Sequence, residues 1–407
     1  MRQDDLTDLV EHFDHRDPRL TGTTAPEVYA ELRRRGRVVR SDRHGGFYIL
    51  TNYNDVVRAL RDHDTFSSAA GVFLIRQPGQ VPAPPLEFDP PEHTEYRALA
   101  TDILAPRHLA TIEPELRSTV QTMVAEFAAV GGGNVMSSIA VRVPLQTVLR
   151  LIGIGVDKLD RIRSLTEQIH EDDMAQKGMG GVEALFALLA EELALRRAEP
   201  RDDFLTGLLT QRIGGELMPD DQILRVIAGL AIAGHETTMN AAGYLVHRLA
   251  SDPDLQQRLR AEPDLVRGFV EECLRRDAPV HSFFRTVTSE VAIGDQVLVP
   301  GDRVLLLFAS ANRDPEKFDE PECFPLDRSP NRHIAFGSGI HYCVGAQLAR
   351  LELRLLSEAL LDLPGLTLEE EPTFAALTAG GHFAGPSRVT VRIPSGEPLD
   401  SAEQEQA

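Results

Sequence analysis

The chain has 407 residues, with 42 Lys and Arg against 62 Asp and Glu and a formal net charge of −20. That balance would repel a phosphate backbone, so nucleic acid is excluded as the main partner. The 42% hydrophobic content marks an ordinary globular protein, and three cysteines with no C-x-x-C pair argue against a disulfide framework and fit a reducing cytoplasm.

The opening "MRQDDLTDLVEHFD" is acidic and amphipathic and lacks the basic start and apolar run of a signal peptide. No stretch approaches the length of apolar sequence that a membrane span needs. Residues 1–30 read as a loosely packed lead-in. "GRVVRSDRHGGFYILTNYNDVVRAL" predicts a hairpin around His44-Gly45-Gly46, then a helix from Asn52 with Asp55 in the capping-box position. Residues 68–88, rich in Gly, Pro and apolar side chains, predict a long ordered loop. In "DPPEHTEYRALA" Asp89 reads as the helix cap, with prolines in the first turn and Glu92 as its capping-box partner.

Helical patterns dominate from there to about Ala250. The segment 217–250 reads as one helix starting at Pro219-Asp220, apolar nearly all round and roughly 45 Å long at 1.5 Å per residue. "VAIGDQVLVPGDRVLLLF" predicts paired strands with turns at Gly294-Asp295 and Pro300-Gly301-Asp302. A helix is expected to follow Cys343 and run to about Asp362, and "SRVTVRIP" is a last strand. The expected architecture is mainly α with small β-sheets (α+β), one domain over 1–395, and a disordered acidic tail over 396–407.

Cys273 and Cys323 read as small buried hydrophobes. Cys343 has a different setting, "FGSGIHYCVG". Gly337, Gly339 and Gly345 let backbone approach something flat and bulky. A helix start beside the sulfur favours a thiolate, and His341 adds a donor. A lone thiolate held this way suits a single axial bond to haem iron. The ten residues match F-G-x-G-x-H-x-C-x-G at every fixed position, and on this motif the chain resembles the cytochrome P450 superfamily, in its soluble bacterial form.

The resemblance covers roughly residues 30 to 394 and implies a long central helix over a buried haem b (iron protoporphyrin IX), with Cys343 as the iron ligand. "AGHETT" in that helix resembles the oxygen-activation motif A-G-x-[DE]-T. Small Ala233 and Gly234 would leave room for a ligand. Thr237 can bond the Ala233 carbonyl four residues back and open the helix. Thr237 and Glu236 are then the catalytic candidates, delivering protons to O2. "HETTM" also begins like the zinc motif H-E-x-x-H, but Met239 stands where the second ligand belongs, so a zinc protease is rejected. Glu272 and Arg275 resemble the E-x-x-R pair, with Arg328 as third member, a structural lock on the cysteine loop. Arg276 departs from the pattern, where an aromatic is common. The resemblance assigns His93, Arg97, Arg285 and His341 to the haem propionates, and Phe336, Gly337, Ala233 and Gly345 to the rest of the cofactor surface.

No G-x-G-x-x-G occurs, so electrons must come from outside. The resemblance implies a ferredoxin and a ferredoxin reductase, with NAD(P)H involved only indirectly. Arg350 and Arg354 are candidate contacts for an acidic ferredoxin. The substrate pocket is expected from Val72, Phe73 and Leu74, Met174 and Met179, Leu230 and Ala233, His281–Phe284, and His382-Phe383. Its apolar character predicts hydroxylation or epoxidation of a nonpolar small molecule, such as a terpenoid or other secondary metabolite. The enzyme is expected to be a cytoplasmic monomer. The alternatives are a haem-thiolate enzyme of radical coupling or peroxide-driven oxidation, and a non-catalytic haem-binding sensor.

Overall fold

A computed structural model describes residues 2–75, 80–175 and 177–394, with the backbone alone at 170 and 173–175. The acidic tail 396–407 lies outside them, and so does the side chain of Met174. The expected mainly α architecture with small sheets is what forms.

The lead-in is not loose. Helices Gln3–Glu11 and Ala25–Arg35 form, and Leu6, Leu9, Val10 and Phe13 are buried against Val28, Tyr29 and Leu32 and the sheet residues Phe47, Ile49 and Leu305. The spacing 6, 9, 10, 13 is one helical stripe, and burying it is worth about 1.5–3 kcal/mol per large side chain.

The main sheet has strands in the order Val38–Ser41, Phe47–Leu50, Arg303–Leu307, Ser282–Val287, Phe66–Ser67. The expected hairpin pairs Val38 with Leu50, and Asn52 caps the next helix by accepting from the Asp55 amide at 3.1 Å. Arg303–Leu307 runs parallel to Phe47–Leu50 and antiparallel to Ser282–Val287, with Leu305 between Ile49 and Phe284. Covered on both faces, it reads as the unbroken apolar run Val304–Leu307 rather than as an alternation. The turn at Gly294-Asp295 joins Val291–Ile293 to Gln296–Leu298, as expected.

The helices surround two apolar clusters. One holds residues from Pro106–Ala129, Glu236–Ser251, Leu265–Arg276 and Ala346–Leu361. The other holds residues from Arg142–Ile152, Leu159–Ala175, Gly180–Ala198 and Asp220–Ala233. The segment 217–250 is therefore two helices, Asp220–Ala233 and Glu236–Ser251, one seated mainly in each cluster. Among the described residues no helix is long and apolar enough to cross a membrane.

Asp89 does not cap the next helix, which begins at Glu92 with Pro91 before it. Its carboxylate accepts instead from the Ser67 hydroxyl, and from the Ser68 amide at 3.2 Å and hydroxyl at 3.1 Å. The long loop, where described, is thereby pinned to the sheet edge.

Candidate active site

The loop before Ala346–Leu361 is built by its own backbone. The Cys343 amide donates to the Phe336 carbonyl at 2.9 Å, and the Gly337 amide to Ile334 at 2.9 Å. Gly337 and Gly339 sit at φ 71° and 72°, where side chains are strained. A Cβ on Gly339 would also collide with the Leu60 carbonyl. Gly345 is different: a Cβ there would stand 3.9 Å from the Cys343 sulfur, so protein packing does not require its glycine. Phe336 lies under the Arg350 guanidinium, 4.4 Å from its ring centre.

Cys343 is exposed as a residue, yet its thiol lies deep within the fold. The helix begins three residues past it, later than expected. Burial pushes its thiol above the usual range, outweighing the Gly345 N–H and the Arg97 and Arg350 cations. The helix start does not offset the burial of this thiol.

Beneath the loop lies a fully buried ion pair. Arg275 donates to both Glu272 oxygens, at 2.9 and 2.7 Å, and to the carbonyls of Asn312, Pro321 and Cys323 at 2.8, 2.9 and 3.2 Å. Arg328 reaches Glu272 at 3.3 Å, as the sequence suggested; Asn331, which sequence reasoning missed, does so at 2.9 Å. Asn312 passes the order on by accepting from the Ile334 amide at 2.7 Å.

Four cationic or donor side chains gather beside the loop. His93 and His341 have ring centres 4.5 Å apart, and His341 Nε2 meets the Ser68 hydroxyl at 3.0 Å. Burial, then the Arg285 charge, pushes His341 down to about 2. Arg285 is 3% exposed, is pushed down to about 10 by burial, and bonds only its neighbour's carbonyl, Phe284 O, at 2.8 Å. Burial also lowers Arg97, against the pull of the Cys343 sulfur. Among the described residues no carboxylate is hydrogen-bonded to any of the four, and buried His93 Nε2 has no hydrogen-bond partner. Asp89 acts on Arg285 and His93 only through space, and donors with so little compensation are costly to bury. The set fits a ligand that brings its own negative charge, as the two propionates of haem do.

The two central helices part at Gly234-His235. The backbone ladder runs to Gly234 N–Leu230 O at 2.9 Å and resumes at Met239 N–His235 O at 2.8 Å. Between these, side chains take two carbonyls: His235 Nδ1 bonds Ala231 O at 2.7 Å, and Thr237 Oγ1 bonds Ala233 O at 3.2 Å. His235 Nε2 then reaches Thr166 at 3.2 Å, which tethers the break to a neighbouring helix. The Thr237 bond is where the sequence placed it; the His235 anchor was missed. Ala233 is exposed to open space, as expected, but Gly234 is not room for a ligand. A Cβ there would lie 2.7 Å from the Val148 side chain, so its glycine serves helix packing. Buried Glu236 accepts from the Thr378 hydroxyl at 3.0 Å. Leu230, Phe336 and Val344 edge the same apolar cluster, so helix break and cysteine loop border one region.

Of the expected pocket walls, Phe73 lies 5.2 Å from His382 and 6.0 Å from Phe283 between ring centres, while Val72 is fully buried. Leu74 packs on the sheet cluster, and Met179 precedes helix Gly180–Ala198. The wall histidines are structural: His281 meets the Tyr29 hydroxyl and His382 the Ser282 hydroxyl, both at 3.0 Å, and burial pushes each down to about 3. Arg350 and Arg354, the candidate ferredoxin contacts, are already ion-paired: Arg350 clasps Glu271 at 2.6 and 3.0 Å, and Arg354 bridges Glu113 and Glu358 at 2.8 and 2.9 Å. One expectation fails: Cys323 is exposed, although its carbonyl accepts from the buried Arg275; Cys273 is buried as expected.

Residues 175–363, which include both the helix break and the cysteine loop, match the cytochrome P450 family profile. The chain is 32% identical over 339 residues to cytochrome P450 107B1 of Saccharopolyspora erythraea, covering 80% of this chain and 84% of that one. It is 31% identical to a beta-dihydromenaquinone-9 omega-hydroxylase of Mycobacterium bovis, covering 94% and 78% of the two chains. The crystal structure of CYP108D1 from Novosphingobium aromaticivorans superposes with a TM-score of 0.82 at 29% identity, covering 91% and 94%.

Proposed function

The chain belongs to the cytochrome P450 family and is a haem-thiolate oxidoreductase, and on that premise we propose a monooxygenase that hydroxylates or epoxidises a nonpolar small molecule with electrons from a ferredoxin and its reductase. The observation that carries this reading is the set His93, Arg97, Arg285 and His341, with His93 and Arg285 buried, whose side chains make no hydrogen bond to a carboxylate among the described residues and which lie beside Cys343. Cys343 would ligate the iron. The four side chains would hold the propionates. Phe336, Gly337, Gly345 and Ala233 would line the porphyrin. Bound haem supplies the reduction of O2 and the insertion of one of its oxygen atoms into a C–H or C=C bond of the substrate.

The chain's own residues then manage protons and water. Thr237 holds its hydroxyl on the Ala233 carbonyl, and so presents an O–H at an opened turn rather than inside a closed helix. Glu236, one residue earlier, carries a proton on its carboxylate from the side of the loop that holds Thr378 to that turn. Phe73, Phe283 and Phe383 offer apolar surface that excludes water and favours a nonpolar substrate, a terpenoid or another secondary metabolite. The enzyme works as a cytoplasmic monomer, in one domain over 1–395. The proton-handling pair favours O2 over peroxide as oxidant and argues against a sensor, which needs no relay.

The test is a carbon monoxide difference spectrum of the reduced protein, followed by turnover of a panel of nonpolar compounds with ferredoxin, reductase and NAD(P)H. A thiolate-type spectrum that disappears in Cys343→Ser, with oxygenated product from the native chain, is the expected result. A thiolate-type spectrum that persists in the variant overturns the ligand assignment. Turnover of charged compounds alone overturns the substrate class.

A further inference from the structure

The fold brings two short sequence stretches together that the haem reading leaves unused: "HFDHR" after the first helix and "SDRHGG" at the hairpin tip. Asp14, His15 and His44 each offer one ligand-type atom, and those atoms all lie within 4.8 Å of one another. Asp14 Oδ1 is 2.9 Å from His44 Nε2 and 3.7 Å from His15 Nδ1. It also accepts from the Arg16 amide at 2.9 Å, which fixes the carboxylate's direction.

His15 supplies the independent sign. It is 2% exposed, and its Nδ1 has no hydrogen-bond partner although it is buried. An imidazole nitrogen in that position costs free energy unless something meets it. The ring cannot turn freely to find a partner. It is packed edge-on against Phe47 and Phe284, with ring centres 5.7 and 5.1 Å away, and against His382 at 5.1 Å. Its Nδ1 is thus aimed at Asp14 by the core itself.

We propose that Asp14, His15 and His44 form a site for one zinc-class divalent cation, which pins the N-terminal lead-in to the tip of the hairpin. Two imidazole nitrogens and a carboxylate suit Zn²⁺ and its late first-row neighbours rather than Ca²⁺ or Mg²⁺, which prefer all-oxygen shells. Tetrahedral ligands at about 2.0–2.1 Å from zinc stand roughly 3.4 Å apart. Asp14 stands 2.9 and 3.7 Å from the two rings, and His44, which is at the surface, would move to bring all three ligands to that spacing. Three protein ligands leave a fourth position for water. His15 is fixed by the core, Asp14 is fixed by the Arg16 amide, and His44 closes the site. The site lies outside the cysteine region and does not depend on the haem assignment.

The test uses the full haem-loaded chain without a polyhistidine tag, stripped with a chelator and titrated with ZnCl₂ against a zinc indicator. Bound zinc is counted by mass spectrometry separately from iron. His44→Asn is the informative variant. Its backbone is left-handed at φ 52°, and asparagine tolerates that region well, so the change removes the ligand with little backbone cost. Asp14→Asn is the second variant. The native chain should bind about one zinc per molecule and melt at a higher temperature with zinc than without. Each variant should bind at least ~10-fold more weakly and lose the zinc-dependent shift, with the haem spectrum unchanged. Absence of zinc binding in the native chain, or equal affinity in all three proteins, overturns the proposal.

Discussion

Arg285 is a fully buried guanidinium that bonds one backbone carbonyl and no carboxylate. The same economy that makes such a group costly makes it a strong anchor once an anion arrives. Arg285→Leu should leave a folded chain that retains haem ~10-fold less tightly, checked by the ratio of haem to protein absorbance after dialysis; an unchanged ratio would remove Arg285 from the propionate set. Thr237 is a different kind of residue. Its hydroxyl is legible in the sequence because a threonine four residues after a carbonyl in an apolar helix has few other partners. Thr237→Ala should lower product formed per NAD(P)H consumed by ~10-fold, measured by stoichiometry rather than by rate; coupling equal to the native enzyme would end its assigned role. His235 and Asn331 were not legible. Each acts through a partner more than 50 residues away, Thr166 and Glu272, and nothing local in the sequence points to such a contact.

At the scale of elements, the cysteine loop shows how a short motif encodes a rigid object. Its glycines are not interchangeable. Gly339 is required twice, by a left-handed φ and by the Leu60 carbonyl of helix Tyr53–Arg61, whereas Gly345 meets only the sulfur. Gly339→Ala should therefore cost at least ~2 kcal/mol and release the loop, while Gly345→Ala should leave the chemical denaturation midpoint nearly unchanged. Equal midpoints for the two variants would contradict this account of the loop. The central helix shows what periodicity leaves out. Its apolar pattern runs unbroken through 217–250, so the sequence reads as one helix. The break arises because two side chains compete with their own amides for carbonyls, and because Gly234 lets Val148 press against the backbone. The lead-in failed for the opposite reason. Its apolar residues Leu6, Leu9, Val10 and Phe13 are visible, but the surface that covers them is assembled from the next helix, the hairpin strand Phe47–Leu50 and the distant strand residues Phe284 and Leu305.

Across the whole molecule, buried titratable groups set opposing limits on stability. His281 and His382 are held neutral in the fold at about 3, against 6.5 when exposed. The unfolded chain gains protons that the folded chain refuses, so stability falls as pH drops below 6.5, by roughly 2 kcal/mol for each histidine at pH 5. Glu352 acts the other way. Burial pushes it up to about 8, and its oxygens have no hydrogen bond among the described residues, since the nearby Thr147 hydroxyl bonds Val143 O at 2.8 Å. Its contribution falls as pH rises from 4.5 towards 8. Melting temperatures should peak near pH 6.5, and Glu352→Gln should flatten the alkaline side and steepen the acid side, where the carboxyl offsets part of the histidine effect; a variant that left the alkaline side unchanged would refute the assignment. Charge also governs what this molecule meets. At −20 overall it would repel the proposed acidic ferredoxin, and local cations would offset that repulsion. Arg350 and Arg354 are spent on Glu271, Glu113 and Glu358. The cleft they line also holds Arg267, which is exposed and has no ion-pair partner among the described residues. Glu113 and Glu271 in the same cleft are already neutralised, so Arg267 presents the unbalanced charge there. Arg267→Glu should slow ferredoxin-driven reduction ~10-fold at low salt, with a smaller difference at high salt, and leave reduction by dithionite unchanged. Stopped-flow reduction with both donors separates the outcomes: equal ferredoxin rates would move the docking surface away from this cleft, and slower dithionite reduction would mean the substitution disturbs the haem site itself.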